Sequence, residues 1–381
     1  MTLLSRGALG LDTAPVRIVH LGLGNFQRAH QAWYTEHAAD RAEWGIAGFT
    51  VRSAGLADRL TAQDGLYSLV ERGPEVDRVE VIGSLVEAHP GDSPRLAELL
   101  AAPETAVVTL TVTEAGYSFD GDAPPLALGR LAAGLETRRR AGAGPIALVS
   151  CDNLPSNAAV LRRALERIDP GLDDWLDETA TFVSTSVDRI TPRLTSAELA
   201  WLRMASGWDD DAPVVAEPFS DWVLQGAFPA GRPQWETAGA RFVDDVEPFE
   251  RRKLWLLNGA HTILAASGPG RGHETVAAAF DDPYCAALVT GFWDEAGRHL
   301  TSAGLDIPAY LAQLRQRFAN PRIAHRLTDI ADQAPAKVRV RLLPVLQAER
   351  AAGRSGAATL RALADAPGLL AILKTATEGT P

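Results

Sequence analysis

Short apolar runs alternate with longer amphipathic segments through the first two thirds of the chain. Five runs that are apolar or rich in β-branched residues predict strands, at 16–21, 44–51, 106–112, 145–150 and 181–185. Between them, the Ala-, Leu- and Arg-rich stretches 94–101, 128–141 and 157–168 have helical spacing. Strands alternating with helices are typical of βαβ units, so we predict a mostly parallel sheet.

The pattern changes near residue 245. From Pro248 onward the chain is rich in Leu, Ala and Arg, with helical periodicity and almost no β-branched runs. Asn320-Pro321 and Asp282-Pro283 supply turn or cap signals. We therefore predict an α/β nucleotide-binding domain over residues 1–245 and a mainly α-helical domain over residues 246–381.

Composition narrows the class of protein. Of 381 residues 46% are apolar, and 37 basic against 48 acidic side chains give a formal charge of −11, which disfavours nucleic acid and acidic membrane surfaces as partners. Two cysteines, an N-terminus without an export pattern and no apolar stretch near the ~20 residues of a membrane span predict a cytoplasmic enzyme.

The first strand runs into a glycine turn. Gly22 and Gly24 match the first two positions of the Gly-x-Gly-x-x-Gly pattern, in which glycines let the backbone approach a pyrophosphate at a helix N-terminus. Gln27 occupies the third position, so the spacing fits a structural turn as well as a nucleotide site. The nucleotide interpretation makes NAD the expected cofactor.

The choice between NAD and NADP depends on the end of the second strand, where a carboxylate holds the ribose of NAD. The segment 50–54 contains Arg52 and Ser53, and the first acid after it is Asp58. Arg52 suits a 2′-phosphate, which keeps NADP open, and it is equally well a solvated surface residue.

The segment 250–261 contains the most informative group of polar residues. At 100° per residue Lys253, Asn258 and His261 fall within an arc of about 140° on one side of a helix. Their neighbours are large and apolar, so we expect a helix buried nearly all round, in which burial lowers the lysine pKa. A neutral Lys253 would remove a proton from a substrate hydroxyl while Asn258 stabilises the alkoxide, without a metal. The alternative is a lysine that reaches water beside a hydrogen-bonded core histidine.

Two other segments follow predicted strands. Asn153 lies just after the strand 145–150, where side chains face the ligand crevice; the alternative is a strand-to-helix turn with Ser156 or Asn157 as N-cap. Asp188 either enters the site or forms a turn and pairs with Arg189.

Together these segments resemble the mannitol dehydrogenase family of polyol and hexuronate dehydrogenases. The resemblance rests on an ordered series of motifs: Leu21-Gly22-Leu23-Gly24-Asn25-Phe26-Gln27-Arg28-Ala29-His30, Thr111-Val112-Thr113-Glu114, Ser150-Cys151-Asp152-Asn153-Leu154-Pro155, Val187-Asp188-Arg189-Ile190-Thr191-Pro192, Glu217-Pro218-Phe219, Gly231-Arg232-Pro233, the Lys253/Asn258/His261 segment, and Arg317-Phe318-Ala319-Asn320-Pro321. Each motif alone means little, but the series is specific.

The resemblance implies an expanded, doubly wound Rossmann-type domain followed by a helical domain, with the substrate between them. It assigns hydride transfer between NAD(P) and a secondary alcohol, with Lys253 as general base. The other roles it implies are alkoxide stabilisation by Asn153 and Asn258, substrate-hydroxyl binding by His261, polyol contact by Asp188, a proton relay through Glu250, and cofactor binding by Gly22, Gly24, Asn25, Phe26, Arg52 and Glu114.

The resemblance implies that the substrate is a sugar alcohol or a sugar acid. A mannitol/fructose pair is the first expectation and a mannonate/fructuronate pair the second, because Arg326 and Lys337 resemble basic positions of the uronate-reducing branch. Both are equally well solvated helix charges. Since the chain is shorter than most members of the family, a non-catalytic NAD(P)-binding protein is the alternative of another class. We expect a monomer or weak homo-oligomer.

Overall fold

The computed structural model describes residues 2–121, 123–192, 194, 196–331 and 334–364. They divide into two compact units, the first containing residues up to 72 and 77–246, the second containing residues 73–76 and those from 247 onward. No helix in the described ranges is long and apolar enough to cross a membrane.

The first unit combines strands and helices. Its strands are β1 (Thr2–Leu3), β2 (Val16–Leu21), β3 (Gly45–Phe49), β4 (Tyr67–Arg72), β5 (Asp77–Ile82), β6 (Leu85–His89), β7 (Val107–Leu110), β8 (Ile146–Ser150), β9 (Ala180–Asp188), β10 (Trp208–Asp209), β11 (Val214–Ala216), β12 (Asp221–Gln225) and β13 (Arg241–Phe242). Its helices are α1 (Arg6–Leu9), α2 (Asn25–Ala29), α3 (Gln31–Glu36), α4 (Gly55–Ala62), α5 (Arg95–Ala101), α6 (Leu126–Ala141), α7 (Asn157–Ile168), α8 (Asp173–Thr179) and α9 (Ser196–Ser206).

Helices make up the second unit. They are α10 (Glu247–Arg252), a π-helical segment (Lys253–Gly259), α11 (Ala260–Ser267), α12 (Val276–Asp281), α13 (Pro283–Gly297), α14 (Ile307–Phe318), α15 (Leu327–Ala331), α16 (Ala334–Arg341), α17 (Leu343–Ala351) and α18 (Ala357–Ala364). Asp282 caps α13 by accepting hydrogen bonds from the backbone N–H groups of Tyr284 and Cys285, with Pro283 in the first turn, as the sequence predicted.

An eight-stranded sheet forms the centre of the first unit, in the order β6-β3-β2-β7-β8-β9-β12-β13. Its strands are parallel from β6 to β9; β12 runs antiparallel to β9, and β13 is parallel to β12. Successive residues of β2 enter different cores, since Ile18 belongs to one buried cluster and Val19 to another. The expected class, a doubly wound α/β domain followed by helices, is confirmed.

Two features differ from the sequence prediction. The small sheet β11-β4-β5 and the strands β6 and β12 were not anticipated. The polar stretch expected to open one helix forms two, α2 and α3, because His30 leaves helical geometry with φ −123° and ψ −84°.

A buried guanidinium joins α5, α6 and β8. Arg138 in α6 donates hydrogen bonds of 2.9–3.1 Å to the carbonyl oxygens of Leu100, Ala102 and residues 143–145. Burial lowers its pKa to about 10. Five backbone carbonyls at two helix ends therefore depend on one side chain.

We expect Arg138→Met to lower the free energy of unfolding by about 3 kcal/mol or more, because it leaves buried carbonyls without donors. Urea denaturation followed by circular dichroism measures the loss. Arg140→Met is the matched control: Arg140 is exposed and pairs with Glu136 at the surface, so its loss should stay below about 1 kcal/mol. Equal losses in the two variants would contradict this role for Arg138.

Candidate active site

A cleft of about 550 Å³ opens at the carboxyl ends of the parallel strands. Its lining includes Gly22 after β2, Arg52 after β3 and residues 111–113 after β7. Because β3 and β7 flank β2 on opposite sides, this is the point at which the strand order reverses. Ligands of open α/β sheets bind at such a point.

The two glycines of the turn have different roles. Gly22 has φ +105°, and a Cβ there would lie 2.2 Å from the carbonyl oxygen of Thr111. Gly24 has an extended φ of −157°, and the nearest atom to a Cβ there is 3.5 Å away. The protein's own packing therefore requires glycine at position 22, whereas position 24 leaves space beside the backbone.

A buried imidazole supports the turn from below. His20 Nδ1 lies 2.7 Å from Thr109 Oγ1 and Nε2 lies 3.0 Å from Thr111 Oγ1, while the Thr111 hydroxyl donates to the carbonyl of Gly22 at 3.0 Å. Burial lowers the His20 pKa to about 3, so the ring is neutral. Since Thr111 uses its proton on Gly22, Nε2 donates and Nδ1 accepts from Thr109.

Arg28 fixes the start of α2. This buried side chain donates to the carbonyl of Gly24 at 3.3 Å and to Asn25 Oδ1 at 2.8 Å. The ring of Phe26 stacks on His30 with centroids 4.9 Å apart. Asn25 and Phe26, both expected at the cofactor, therefore occupy a first turn held by side chains from the same segment.

Sequence reasoning missed part of the cleft wall. Residues 123–127 contribute to the lining, as do Ala115, Gly116 and Ser118 in and after a 3-10 helix (Glu114–Tyr117) that follows Thr113, whose φ is +67°. Arg52 is exposed at the wall, and Glu114 is exposed at the start of the 3-10 helix. The Thr-x-Thr-Glu motif was the available signal, although it singled out Glu114 rather than its neighbours.

The segment after β8 contains a buried carboxylate. Asp152 accepts hydrogen bonds from the backbone N–H of Thr113 at 2.7 Å and from the hydroxyl of Tyr117 at 2.8 Å. Burial raises the Asp152 pKa to about 6, although these hydrogen bonds act in the opposite direction. The next residue, Asn153, is exposed. Asp152 thus joins the loop that carries Asn153 to the cleft wall.

The strand-to-helix alternative for this segment is confirmed in position only. Ser156 stands at the N-cap position of α7 with φ +51°, but its side chain makes no cap bond. The buried Asn157 side chain instead donates to the carbonyls of Asp152 at 3.0 Å and Thr185 at 2.8 Å, and accepts from the Thr185 N–H. Asn157 therefore ties the loop to β9.

Asp188 is buried at the end of β9. The alternative that it pairs with Arg189 is wrong, because the fully buried Arg189 pairs with Glu71 at 2.5 Å. Arg189 also donates to the carbonyls of Ala29 and Glu217. The strand end that presents Asp188 is thereby fixed by its neighbour.

In the second unit, the predicted catalytic helix is wound differently from the expectation. Lys253–Gly259 form a π-helix between α10 and α11, so the arc based on 100° per residue is wrong there. Hydrogen bonds in a π-helix join residues five apart, and residues at that spacing therefore lie nearly above one another. Lys253 and Asn258 are five apart, so the π-helix brings them closer to one face than an α-helix would.

Side chains from neighbouring helices hold the π-helical segment. The indole N–H of Trp293 donates to the carbonyl of Leu256 at 2.7 Å, and the hydroxyl of Thr262 donates to that of Asn258 at 3.0 Å. A Cβ on Gly259 would lie 2.6 Å from the ring of Phe292. Carbonyls in a widened turn are thus supplied with donors, while glycine permits close helix packing.

The polar residues of this helix differ in burial. His261 is buried, whereas Lys253, Asn258 and Glu250 are half-buried, so the helix is not buried all round. Burial is the main cause that lowers the His261 pKa well below its usual value, and nearby basic groups lower it further. Its imidazole is therefore neutral at physiological pH.

The basic residues expected to hold a carboxylate lie in the same unit. Arg326 is exposed, and its backbone bridges to Thr275. Lys337 is half-buried, and its Nζ donates to the carbonyl of Ile330 at 2.8 Å. Their role stays a prediction. Sequence reasoning did not assign Arg317 or Arg341, whose charges act on His261.

Two family models match the chain. The Mannitol dehydrogenase Rossmann domain matches residues 16–237, and the Mannitol dehydrogenase C-terminal domain matches residues 245–366. Together they cover most of the sequence.

Individual proteins are similar over most of the chain. D-mannonate oxidoreductase of Escherichia coli (strain K12) is 37% identical over 360 residues, 86% of this chain and 74% of the relative. The solved Pseudomonas fluorescens mannitol 2-dehydrogenase, a ternary complex with NAD and D-mannitol, is 34% identical with a TM-score of 0.83, covering 96% of this chain and 83% of that one. A solved D-sorbitol dehydrogenase in substrate-free form is 30% identical with a TM-score of 0.86, and the match covers 95% of this chain and 85% of that one.

We expect Gly22→Ala to lower the free energy of unfolding by about 2 kcal/mol and to weaken NADH binding at least roughly tenfold, because the new methyl group displaces Thr111. Gly24→Ala is the matched control, and its stability should stay within about 1 kcal/mol of wild type. Urea denaturation and NADH fluorescence titration measure both quantities. Equal destabilisation of the two variants would overturn the distinction between the glycines.

The raised pKa of Asp152 predicts a pH-dependent stability. The native state takes up this proton near pH 6, whereas the unfolded chain does so near the ordinary value of 3.8. The native state is therefore favoured at low pH, and this contribution is lost as pH rises through 6. We expect wild type to lose about 1 kcal/mol relative to Asp152→Asn between pH 5 and pH 8. Urea denaturation at both pH values tests this; a constant difference between the two proteins would refute it.

Proposed function

The chain belongs to the mannitol dehydrogenase family, and from this premise we propose that it is an NAD-dependent oxidoreductase. It interconverts a secondary hydroxyl group of a sugar alcohol or aldonate with the corresponding ketone. The similar proteins named as D-mannonate oxidoreductase and mannitol 2-dehydrogenase support both substrate classes. The observation that carries the proposal is the π-helical segment, which has a lysine and an amide at the spacing that aligns them.

The cleft of the first unit fits a dinucleotide. Its place at the strand reversal, the glycine that packing requires at position 22 and the open backbone at Gly24 suit a pyrophosphate. Arg52 on the wall keeps NADP as the alternative cofactor. When bound, the nicotinamide accepts or supplies the hydride.

Lys253 is the proposed general base. Its amine, in the uncharged form, accepts the hydroxyl proton of the substrate while the hydride leaves the same carbon, so that a ketone forms. Lys253 returns the proton when the reaction runs towards the alcohol. Glu250, one turn earlier in α10, is the proposed group that exchanges this proton with solvent.

The amides and the imidazole hold the substrate. Asn258 donates to the oxygen on which negative charge develops, and Asn153 of the first unit is proposed as the second donor. His261 binds a neighbouring hydroxyl through its neutral ring; its buried Nε2 has no hydrogen-bond partner among the described residues. Asp188 is proposed to accept from another substrate hydroxyl.

The alternative function, from a different class, is that of a protein that binds NAD(P) without catalysis. Under this alternative the dinucleotide binds, but nicotinamide absorbance does not change with any hexitol, pentitol or aldonate. The retained Lys253, Asn258 and His261 favour the enzyme, because a sensor has no use for a base beside an amide donor. A cytoplasmic location and a monomeric or weakly associated state stay predictions.

We expect Lys253→Ala to lower turnover at least roughly hundredfold, because it removes the base, with partial recovery at high pH or with an added primary amine. Lys253→Arg should be equally inactive, since guanidinium does not lose its proton. Nicotinamide absorbance at saturating cofactor measures the rates.

Arg251→Ala is the control for these variants, because Arg251 lies two residues before Lys253, at the end of α10, and is a half-buried residue that pairs with Glu247. It should retain turnover within about threefold of wild type. Near wild-type turnover in Lys253→Ala would exclude Lys253 as the base.

A further inference from the structure

Basic side chains surround the imidazole of His261. Its ring stacks on Phe318 with centroids 4.9 Å apart and meets the edge of the His325 ring at 4.8 Å. After burial, the groups that lower the His261 pKa are His325, Arg317, Arg341 and Lys253, in that order. The chain thus brings three permanent or potential cations and a second imidazole to one neutral histidine.

Arg341, the last residue of α16, lies against the π-helical segment. Its Nη1 donates to Thr262 Oγ1 at 3.1 Å and to the carbonyl of Asn258 at 3.4 Å. Burial lowers its pKa, and within the described part of the chain no carboxylate is found to counter the shift. Among the described residues, its buried Nε has no hydrogen-bond partner.

The guanidinium of Arg341 therefore lacks some of the hydrogen-bond and charge partners that a half-buried cation needs. A half-buried cation without a carboxylate has lost part of its hydration and gained only bonds to neutral oxygens. The Nε–H and the neighbouring Nη2–H of arginine point in parallel, a geometry that matches the two oxygens of a carboxylate. His261 Nε2 and His325 Nδ1 are likewise buried and without hydrogen-bond partners among the described residues. Polar groups in this state are completed by a ligand or by water.

We propose that Arg341 binds the carboxylate of the substrate and so selects a sugar acid over a neutral sugar alcohol. This inference rests on the proposed function and narrows its substrate class to aldonates and the corresponding keto acids. Arg341 provides the two-point contact, and the charge of Arg317, which also acts on His261, adds positive potential to this group of residues. Its bonds to Asn258 and Thr262 fix the guanidinium relative to the helix that carries Lys253.

The alternative role for Arg341 is structural. Its bond to the Asn258 carbonyl supports the π-helical segment, so its loss would then impair every substrate alike. The two roles differ in the ratio of kcat/KM for an aldonate to kcat/KM for a hexitol, which only direct recognition of the carboxylate changes.

The test compares D-mannonate with D-mannitol in wild type, Arg341→Gln and Arg341→Lys, with NAD. Wild type should prefer the aldonate. The ratio of kcat/KM values should fall roughly ten- to hundredfold in Arg341→Gln, mainly through KM, because a charged two-point hydrogen bond is lost. The ratio for Arg341→Lys should lie between those of wild type and Arg341→Gln, since lysine keeps the charge but not the paired donors. Arg339→Gln, exposed on the same helix, is the control and should keep the wild-type ratio.

A wild-type preference for mannitol, or an equal loss for both substrates in Arg341→Gln, would overturn this inference and leave the proposed function standing. If wild type oxidises neither these two compounds nor any other hexitol, pentitol or aldonate with NAD or NADP, the proposed function fails. Calorimetric titration of the NADH complex with each compound then decides the inference separately: it predicts tighter binding of mannonate that Arg341→Gln weakens, and equal binding of both compounds would refute it.

Discussion

The π-helical winding of Lys253–Gly259 is the constraint on which the rest of the site depends. In a regular helix the lysine and the amide five residues later would diverge around the axis, whereas here they approach one face. The winding leaves backbone carbonyls that need other donors, and the indole of Trp293 satisfies that of Leu256. Gly259 lets α13 approach closely enough for this contact. The close packing of α13 and the proposed catalytic geometry therefore both depend on this winding.

The first unit depends on a comparable close contact. Gly22 packs against the backbone of Thr111, and this contact aligns the ends of β2 and β7 at the strand reversal. The hydroxyl of Thr111 reaches the Gly22 carbonyl, and the neutral His20 supports that hydroxyl from inside the sheet. This part of the cleft is built from backbone geometry and uncharged groups, and the few charged residues of its wall, such as Arg52, are the proposed means of discrimination between dinucleotides.

Features set by neighbouring residues could be predicted from the sequence, whereas features set by contacts between distant residues could not. The central strands β2, β3, β7, β8 and β9 and the cap at Asp282 were predictable, because apolar runs and an Asp-Pro pair act within a few residues. Lys253 and His261 were identified as candidates, but the π-helical winding was not, because it depends on Trp293, nearly forty positions away. Arg341 escaped notice for the same reason: in sequence it is one of several arginines, and only the fold brings it to the Asn258 carbonyl.

We propose that the widened turn directs the lysine amine and the asparagine amide at one substrate oxygen. A crystal structure of the complex with NADH and D-mannonate tests this arrangement most directly. We expect Lys253 Nζ and Asn258 Nδ2 both within about 3 Å of the same oxygen, with the π-helical segment intact. A regular α-helix there, or an amine that points away from that oxygen into solvent, would contradict it.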